Sequence, residues 1–152
     1  MTLSRLSAHE ISPDWLDRLE SCFLHERGRR HGLMERFPVI FGRDTGSELW
    51  LSTHEGAAVS GLVTLPRAIE SGSEIFNLWT VGLVHTVPAF QGKGLALQLL
   101  RKLEARARRE NVVALLLWAY EATLYERAGF QTVGSAWIGE FDTAFSRPED
   151  EI

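Results

Sequence analysis

Hydrophobic and polar positions follow two different periods along the chain, and each change of period marks an element. Residues 2–8 alternate as a first strand. Ser12-Pro13-Asp14 then reads as a helix start, with a side-chain cap, a proline at the first helical position and an acid in the first turn. Trp15, Leu16, Leu19, Cys22 and Phe23 follow as its buried stripe, which makes Cys22 a small core residue. Glu48–Thr53 and Ala57–Leu65 read as a hairpin around His54-Glu55-Gly56, and Arg67–Ser73 as a polar connection. Glu74 opens a long strand that runs to Val87, where Pro88 cannot donate to a ladder. Ala96, Leu99, Leu100, Leu103 and Ala107 form a second helical stripe. Ala114–Trp118 is an apolar strand, and Glu121–Ala128 a short helix stopped by Gly129. Phe130 opens a further strand, with residues 130–141 supplying one long strand or two short ones.

Antiparallel strands therefore come first, followed by strand–helix–strand–helix–strand, which implies parallel pairing and a mixed α/β domain of three layers. The length of 152 residues fits one domain over 1–142, followed by an acidic tail, 143–152. Apolar residues at 45% and charged residues at 24% are those of an ordinary globular protein. The net charge of −4 argues against a general nucleic-acid binder, and Arg101, Lys102, Arg106, Arg108 and Arg109 read as a solvated helix face. The start of the chain lacks the apolar core of a signal peptide, and no run reaches membrane-spanning length. Cys22 is the only cysteine, so no internal disulfide can form. A cytoplasmic protein without a membrane partner is expected.

The most informative stretch is Val84 to Leu97, where an apolar strand passes through a turn with two glycines into a helix. Such a turn leaves backbone N–H groups at the positive end of a helix dipole, a site suited to phosphate. It is not a Walker loop, because no Ser or Thr follows Lys93, nor a dinucleotide fingerprint, because Leu97 stands where the third glycine belongs. Gln91-Gly92-Lys93-Gly94-Leu95-Ala96 does match [Q/R]-x-x-G-x-[G/A]. One strand and one helix later, Leu124-Tyr125-Glu126-Arg127-Ala128-Gly129-Phe130 matches L-Y-E-[KR]-x-G-F. Together, in this order, the two motifs resemble the GNAT-type N-acetyltransferase superfamily over roughly residues 45–135.

That resemblance implies a GNAT fold: a mixed central sheet with splayed central strands and helices on both faces. It implies acetyl-CoA as cosubstrate and a primary amine of a small molecule or peptide as acceptor. It assigns the pyrophosphate to the backbone of Gln91, Gly92, Lys93, Gly94, Leu95, Ala96 and Leu97, and the pantetheine arm to Val84, His85 and Thr86. Tyr125 matches the tyrosine that protonates the leaving thiolate, a role open to a phenol that holds its proton at neutral pH. No metal is implied.

The chain departs from the superfamily pattern in three places. Gly82 stands where a carboxylate base is common, and Trp118 where an asparagine is common. A final strand is absent, supplied by a partner subunit such as a second copy, or carried by a longer parent protein. His85, Glu74, His54 and Glu55 are candidate bases, though each reads first as a packed or solvated residue, and deprotonation through water is equally open. His25, Arg27, Arg29, Arg30, His31, Arg36 and Arg43 make a basic segment that is a solvated connection or an acceptor wall attracting anions. Trp50, Trp79, Trp118 and Trp137 fall on expected strands, most of them core, with one or two available to line an acceptor cleft that favours an apolar or aromatic acceptor. The alternative function is a non-catalytic domain that binds acetyl-CoA and senses it.

Overall fold

The computed structural model describes residues 1–24 and 32–135. His25, Arg27, Arg29, Arg30, His31, Trp137 and the tail 143–152 lie outside them. Five strands form one sheet in sequence order: β1 (Thr2–Ser7), β2 (Glu48–His54), β3 (Ala57–Ser71), β4 (Glu74–Thr86) and β5 (Ala114–Leu116). The first four pair antiparallel, and β5 joins β4 in parallel. Helices α1 (Pro13–Phe23), α2 (Leu33–Arg36) and α3 (Pro38–Phe41) follow β1. Helix α4 (Leu95–Arg109) crosses from β4 to β5, and α5 (Thr123–Arg127) follows β5.

Strand alternation divides the core into two. Leu49, Leu51 and Val63 face α1–α3 and pack with Trp15, Leu19, Leu33 and Phe41. Trp50, Leu62, Trp79 and Val81 face the opposite way and pack with Leu99, Leu100 and Leu103 of α4. Each fully buried apolar side chain contributes on the order of 1.5–3 kcal/mol. Trp15 rests directly on the sheet: a Cβ at Gly61 would meet its Cζ2 at 2.9 Å and the Trp50 carbonyl at 3.0 Å. The expected cap of α1 forms, with the Trp15 N–H donating to Ser12 Oγ at 3.4 Å.

Four expectations need correction. Arg67–Ser71 are the outer half of β3, paired from Pro66–Trp79 to Ser71–Glu74, so the polar connection shrinks to a two-residue turn. Gly72 at φ +63° starts that turn, and a glycine at the first central position is itself a hairpin signal that outweighs polar composition. β5 ends at Leu116, leaving Trp118 beyond it and 69% exposed rather than in the core. The last helix starts at Thr123, two residues later than expected. No strand forms over residues 130–135, the described part of the strand expected from Phe130.

Candidate functional site

The register between β3 and β4 slips once. Gly61 lies opposite His85 but Val63 opposite Gly82, so Leu83 and Val84 together face Leu62. This is a β-bulge, and Leu83 takes φ +50° to make it, a left-handed conformation that costs a branched side chain about 1–2 kcal/mol. The extra residue reverses the facing of everything after it. Val84 joins Val81 on the α4 side, while Leu83 and Val87 pack toward α1. His85 also turns to α1, its ring 5.7 Å from Trp15 and 6.4 Å from Phe23. Ser60, fully buried, holds the bulge from behind, its Oγ 2.8 Å from Thr86 Oγ1 and 3.2 Å from the His85 carbonyl.

The two central strands part after Thr80, ahead of the bulge. β5 pairs with β4 only at Leu78–Ala114, Trp79–Leu115 and Thr80–Leu116. Beyond Thr80, no described strand covers the β5-side edge of β4, so its backbone groups there line a gap.

At the far end of that gap the chain turns into α4. Pro88–Phe90 make one 3₁₀ turn, and Gln91 folds its side chain back so that Nε2 donates to the Thr86 carbonyl at 3.1 Å. Lys93 Nζ sits 4.4 Å from the centre of the Phe90 ring, which meets His54 edge-on at 5.3 Å. Gly92 and Gly94 both have φ +73°, the second as the N-cap of α4. A Cβ at either would enter open space. Among the described residues no side chain caps this end, no acid stands in the first turn, and the backbone N–H groups of residues 92–97 donate to no carbonyl. The first intrahelical bond runs from Gln98 N–H to the Gly94 carbonyl at 2.9 Å. The turn is braced from behind and uncommitted in front, the local geometry an anion needs.

Tyr125 stands on α5. Gly129, at φ +94°, ends that helix in a Schellman motif: its N–H donates to the Glu126 carbonyl, and the Phe130 N–H to the Tyr125 carbonyl, both at 3.0 Å. Phe130 then closes edge-on against the Tyr125 ring at 6.1 Å. Tyr125, Val84 and Leu97 all pack on the α4-side core, which gathers the two motifs on one surface. The Tyr125 hydroxyl makes no hydrogen bond to another described residue, and burial raises its pKa above the ordinary 10.0.

The model of the acetyltransferase (GNAT) domain matches residues 4–133. The chain belongs to the GNAT acetyltransferase family. Solved GNAT-like structures agree on the fold. A putative acetyltransferase from Agrobacterium tumefaciens str. C58 superposes with a TM-score of 0.70 at 16% identity, over 93% of this chain and all of that one. An acetyltransferase of Trypanosoma brucei gives 0.71 at 18% identity, over 92% and 99%. Glucosamine-6-phosphate N-acetyltransferase from Arabidopsis thaliana gives 0.63 at 14% identity, over 93% and 100%. No curated protein matches the chain in sequence. For this GNAT chain, the mixed sheet with parted central strands and helices on both faces is the expected fold.

The structure also separates backbone from side-chain roles within the family motifs. Leu95 is buried and Leu97 partly so, which leaves their amides as the groups available to a ligand. Gln91 and Lys93 spend their side chains on the turn itself. Ser60 and the Leu83 bulge were not anticipated. Ser60 carried only a small polar residue in an apolar strand as a signal, and the bulge only Gly82 beside it. Glu74 and the His54–Glu55 turn lie on opposite ends of the β3–β4 ladder. Two shallow pockets, of about 160 and 220 Å³, are lined by other residues: one around Arg106 and Trp79, the other around Trp15 and Arg18. No group of metal-binding side chains occurs among the described residues, and no helix there is long and apolar enough to cross a membrane.

Proposed function

We propose that the protein is an acetyl-CoA-dependent N-acetyltransferase that acetylates a primary amine, acting in the cytoplasm. The observation that carries this reading is the uncommitted amide array from Gly92 to Leu97, standing where β4 and β5 have parted. The glycines let the backbone approach the pyrophosphate closely, and the α4 dipole favours its charge. The edge of β4 that carries Val84, His85 and Thr86 has no described strand beyond Thr80 and stands where the pantetheine arm would add as a strand, the carbonyls of His85 and Thr86 being already bonded to Ser60 Oγ and Gln91 Nε2.

Bound acetyl-CoA supplies an activated acetyl thioester. The protein's part is to orient it, polarise its carbonyl through the β4 backbone, and manage two protons. An ammonium acceptor first releases one proton to become a nucleophilic amine. The C–N bond then forms, the nitrogen gives up a second proton to solvent, the C–S bond breaks and the sulfur takes a proton from its donor, leaving an amide and a free thiol. Tyr125 is the donor to sulfur: half-buried, neutral at physiological pH and without a competing bond among the described residues. Gly82 in the place of a carboxylate favours the second reading, a non-catalytic acetyl-CoA sensor.

Calorimetry with acetyl-CoA, followed by a thiol-release assay across a set of amines, tests both. Binding with turnover is the expected result. Binding with no turnover for any amine makes the protein a sensor, and absence of binding removes both readings.

A further inference from the structure

The end of β4 is tied to β3 by a pair of hydroxyls. Ser60 is fully buried and lies opposite Thr86. Alternation from Leu62 and from Val84 puts both side chains on the α4 face of the sheet. The Ser60 hydroxyl donates to the His85 carbonyl at 3.2 Å. A hydroxyl has one hydrogen, so the 2.8 Å contact with Thr86 Oγ1 runs the other way: Thr86 donates and Ser60 accepts. From the turn, Gln91 Nε2 holds the Thr86 carbonyl. His85 and Thr86 are thus fastened from two directions, shortly after the left-handed Leu83. Without the bulge, pairing continued from Val63–Gly82 would set His85 opposite Ser60 and Thr86 opposite Val59. Every side chain after Gly82 would then change face, and the two hydroxyls would separate. A buried hydroxyl left short of its partner costs at least as much as the left-handed φ of Leu83, so the hydroxyl pair decides in favour of the bulged register.

We infer that Ser60 is a positioning residue for acetyl transfer: through Thr86 and His85 it pins the bulged register, and with it the β4 backbone that polarises the thioester carbonyl. This rests on the acetyltransferase reading above. Ser60 is sealed within the sheet and acts only through the backbone it holds. Cofactor affinity is set elsewhere, by the amides of residues 92–97 at the end of a helix that Leu99, Leu100 and Leu103 fix to the sheet. Loss of the pin should therefore change how the carbonyl is held more than how tightly the whole molecule binds.

The test reads the carbonyl directly and needs no acceptor. Acetyl-CoA carrying an isotope label at its thioester carbonyl is bound to the chain, and the C=O stretch is recorded by difference infrared spectroscopy beside Kd from calorimetry. In the wild type the band should lie below that of the free thioester, the mark of a polarised carbonyl. Ser60→Ala should return the band to the free position while Kd rises by less than about tenfold. Thr86→Ser keeps the hydroxyl and should keep the band. Thr86→Val keeps only the shape and should lose part of the shift. A Ser60→Ala chain with the wild-type band overturns the inference, and so does one whose Kd rises further than that, which makes Ser60 a general support of the cofactor site. If Ser60→Ala does not fold by circular dichroism, the Thr86 variants decide, and an unchanged band in Thr86→Val overturns the inference. A wild-type band at the free position does so as well. Absence of acetyl-CoA binding overturns the underlying reading itself, which keeps the two failures apart.

Discussion

The two ends of α4 are built on opposite plans. At its C-terminal half, Arg106 lies between the rings of Trp50 and Trp79, 5.5 and 5.3 Å from their centres. Its guanidinium donates to Glu48 at 2.6 Å and Glu110 at 2.5 Å. Arg5 joins Glu48 from β1 at 3.3 Å, and Arg108 pairs with Glu104 on the same helix. Every charge in that cluster is answered by another. At the N-terminal end, six amides meet no partner among the described residues and two glycines keep side chains away. Self-satisfaction fixes the helix on the sheet, and deliberate lack of it leaves a place for a ligand. The fixed end also sets the position of the open one, because a helix is a rigid rod.

The largest effect should come from closing the open end. Gly94→Val puts a branched side chain into the space in front of the amides, at a φ that valine resists. Losing two charge-assisted hydrogen bonds at about 1.5–3 kcal/mol each lowers affinity by on the order of 10²-fold or more. Calorimetry should register that loss in a chain whose circular dichroism is unchanged. An unaltered Kd would return the turn to a purely structural role.

Tyr125→Phe comes next. A phenol held above 10 that donates to a thiolate of pKa near 8.5 moves its proton uphill by at least about 2 kcal/mol. The donor is useful but modest, so kcat should fall by about 10²-fold, the low end for general acid catalysis, with acetyl-CoA Kd preserved. The same raised pKa fixes a pH dependence. The folded state favours the neutral phenol, so its contribution to stability is complete below pH 10 and is lost as the pH rises through the folded value. Tyr125 should therefore add no alkaline limb to kcat below pH 10. A limb at pH 8–9 that disappears in Tyr125→Phe would contradict the burial that raises it.

The smallest effect on binding, and a clear one on stability, belongs to the closed end. Arg106→Met keeps the stem between the tryptophans but leaves Glu48 and Glu110 facing each other. Breaking a buried pair costs about 3–5 kcal/mol. Here both acids reach solvent and Arg5 remains on Glu48, so about 2 kcal/mol is expected, a Tm drop of about 4–8 °C. Acetyl-CoA Kd should move less than in Gly94→Val by at least tenfold. Equal damage at both would mean that the two ends are not independent.

What could be read from the sequence was local. Ser12-Pro13-Asp14, Gly92 and Gly94 of the turn before α4, and Gly129 each act within a few residues, and each has the expected geometry. The outer half of β3 was hidden because Arg67, Glu70 and Ser71 are solvated on a ribbon with no third strand among the described residues, where polar residues are tolerated. The bulge was hidden for another reason. Leu83 adopts a left-handed φ against its own preference, held there by the packing of its neighbours and by Ser60, contacts distant in sequence. Trp118 belongs to the apolar run expected as a strand, among four tryptophans expected to be mostly core with one or two at a cleft. Its exposure follows from the early end of β5, which depends on where β4 turns away.

The three-pair ladder between β4 and β5 has a kinetic consequence. β2, β3 and β4 are joined by two-residue turns and can zip from local contacts, whereas β5 must wait for α4 to form and swing back across the sheet. A parallel ladder that short, closed over so long a loop, contributes little until the helix has docked. β5 should therefore open more readily than β2, β3 and β4. Its amides should exchange with solvent well before those of β3, through openings that leave the antiparallel strands intact. The edge of β4 left uncovered beyond Thr80 thus borders the part of the sheet expected to open first.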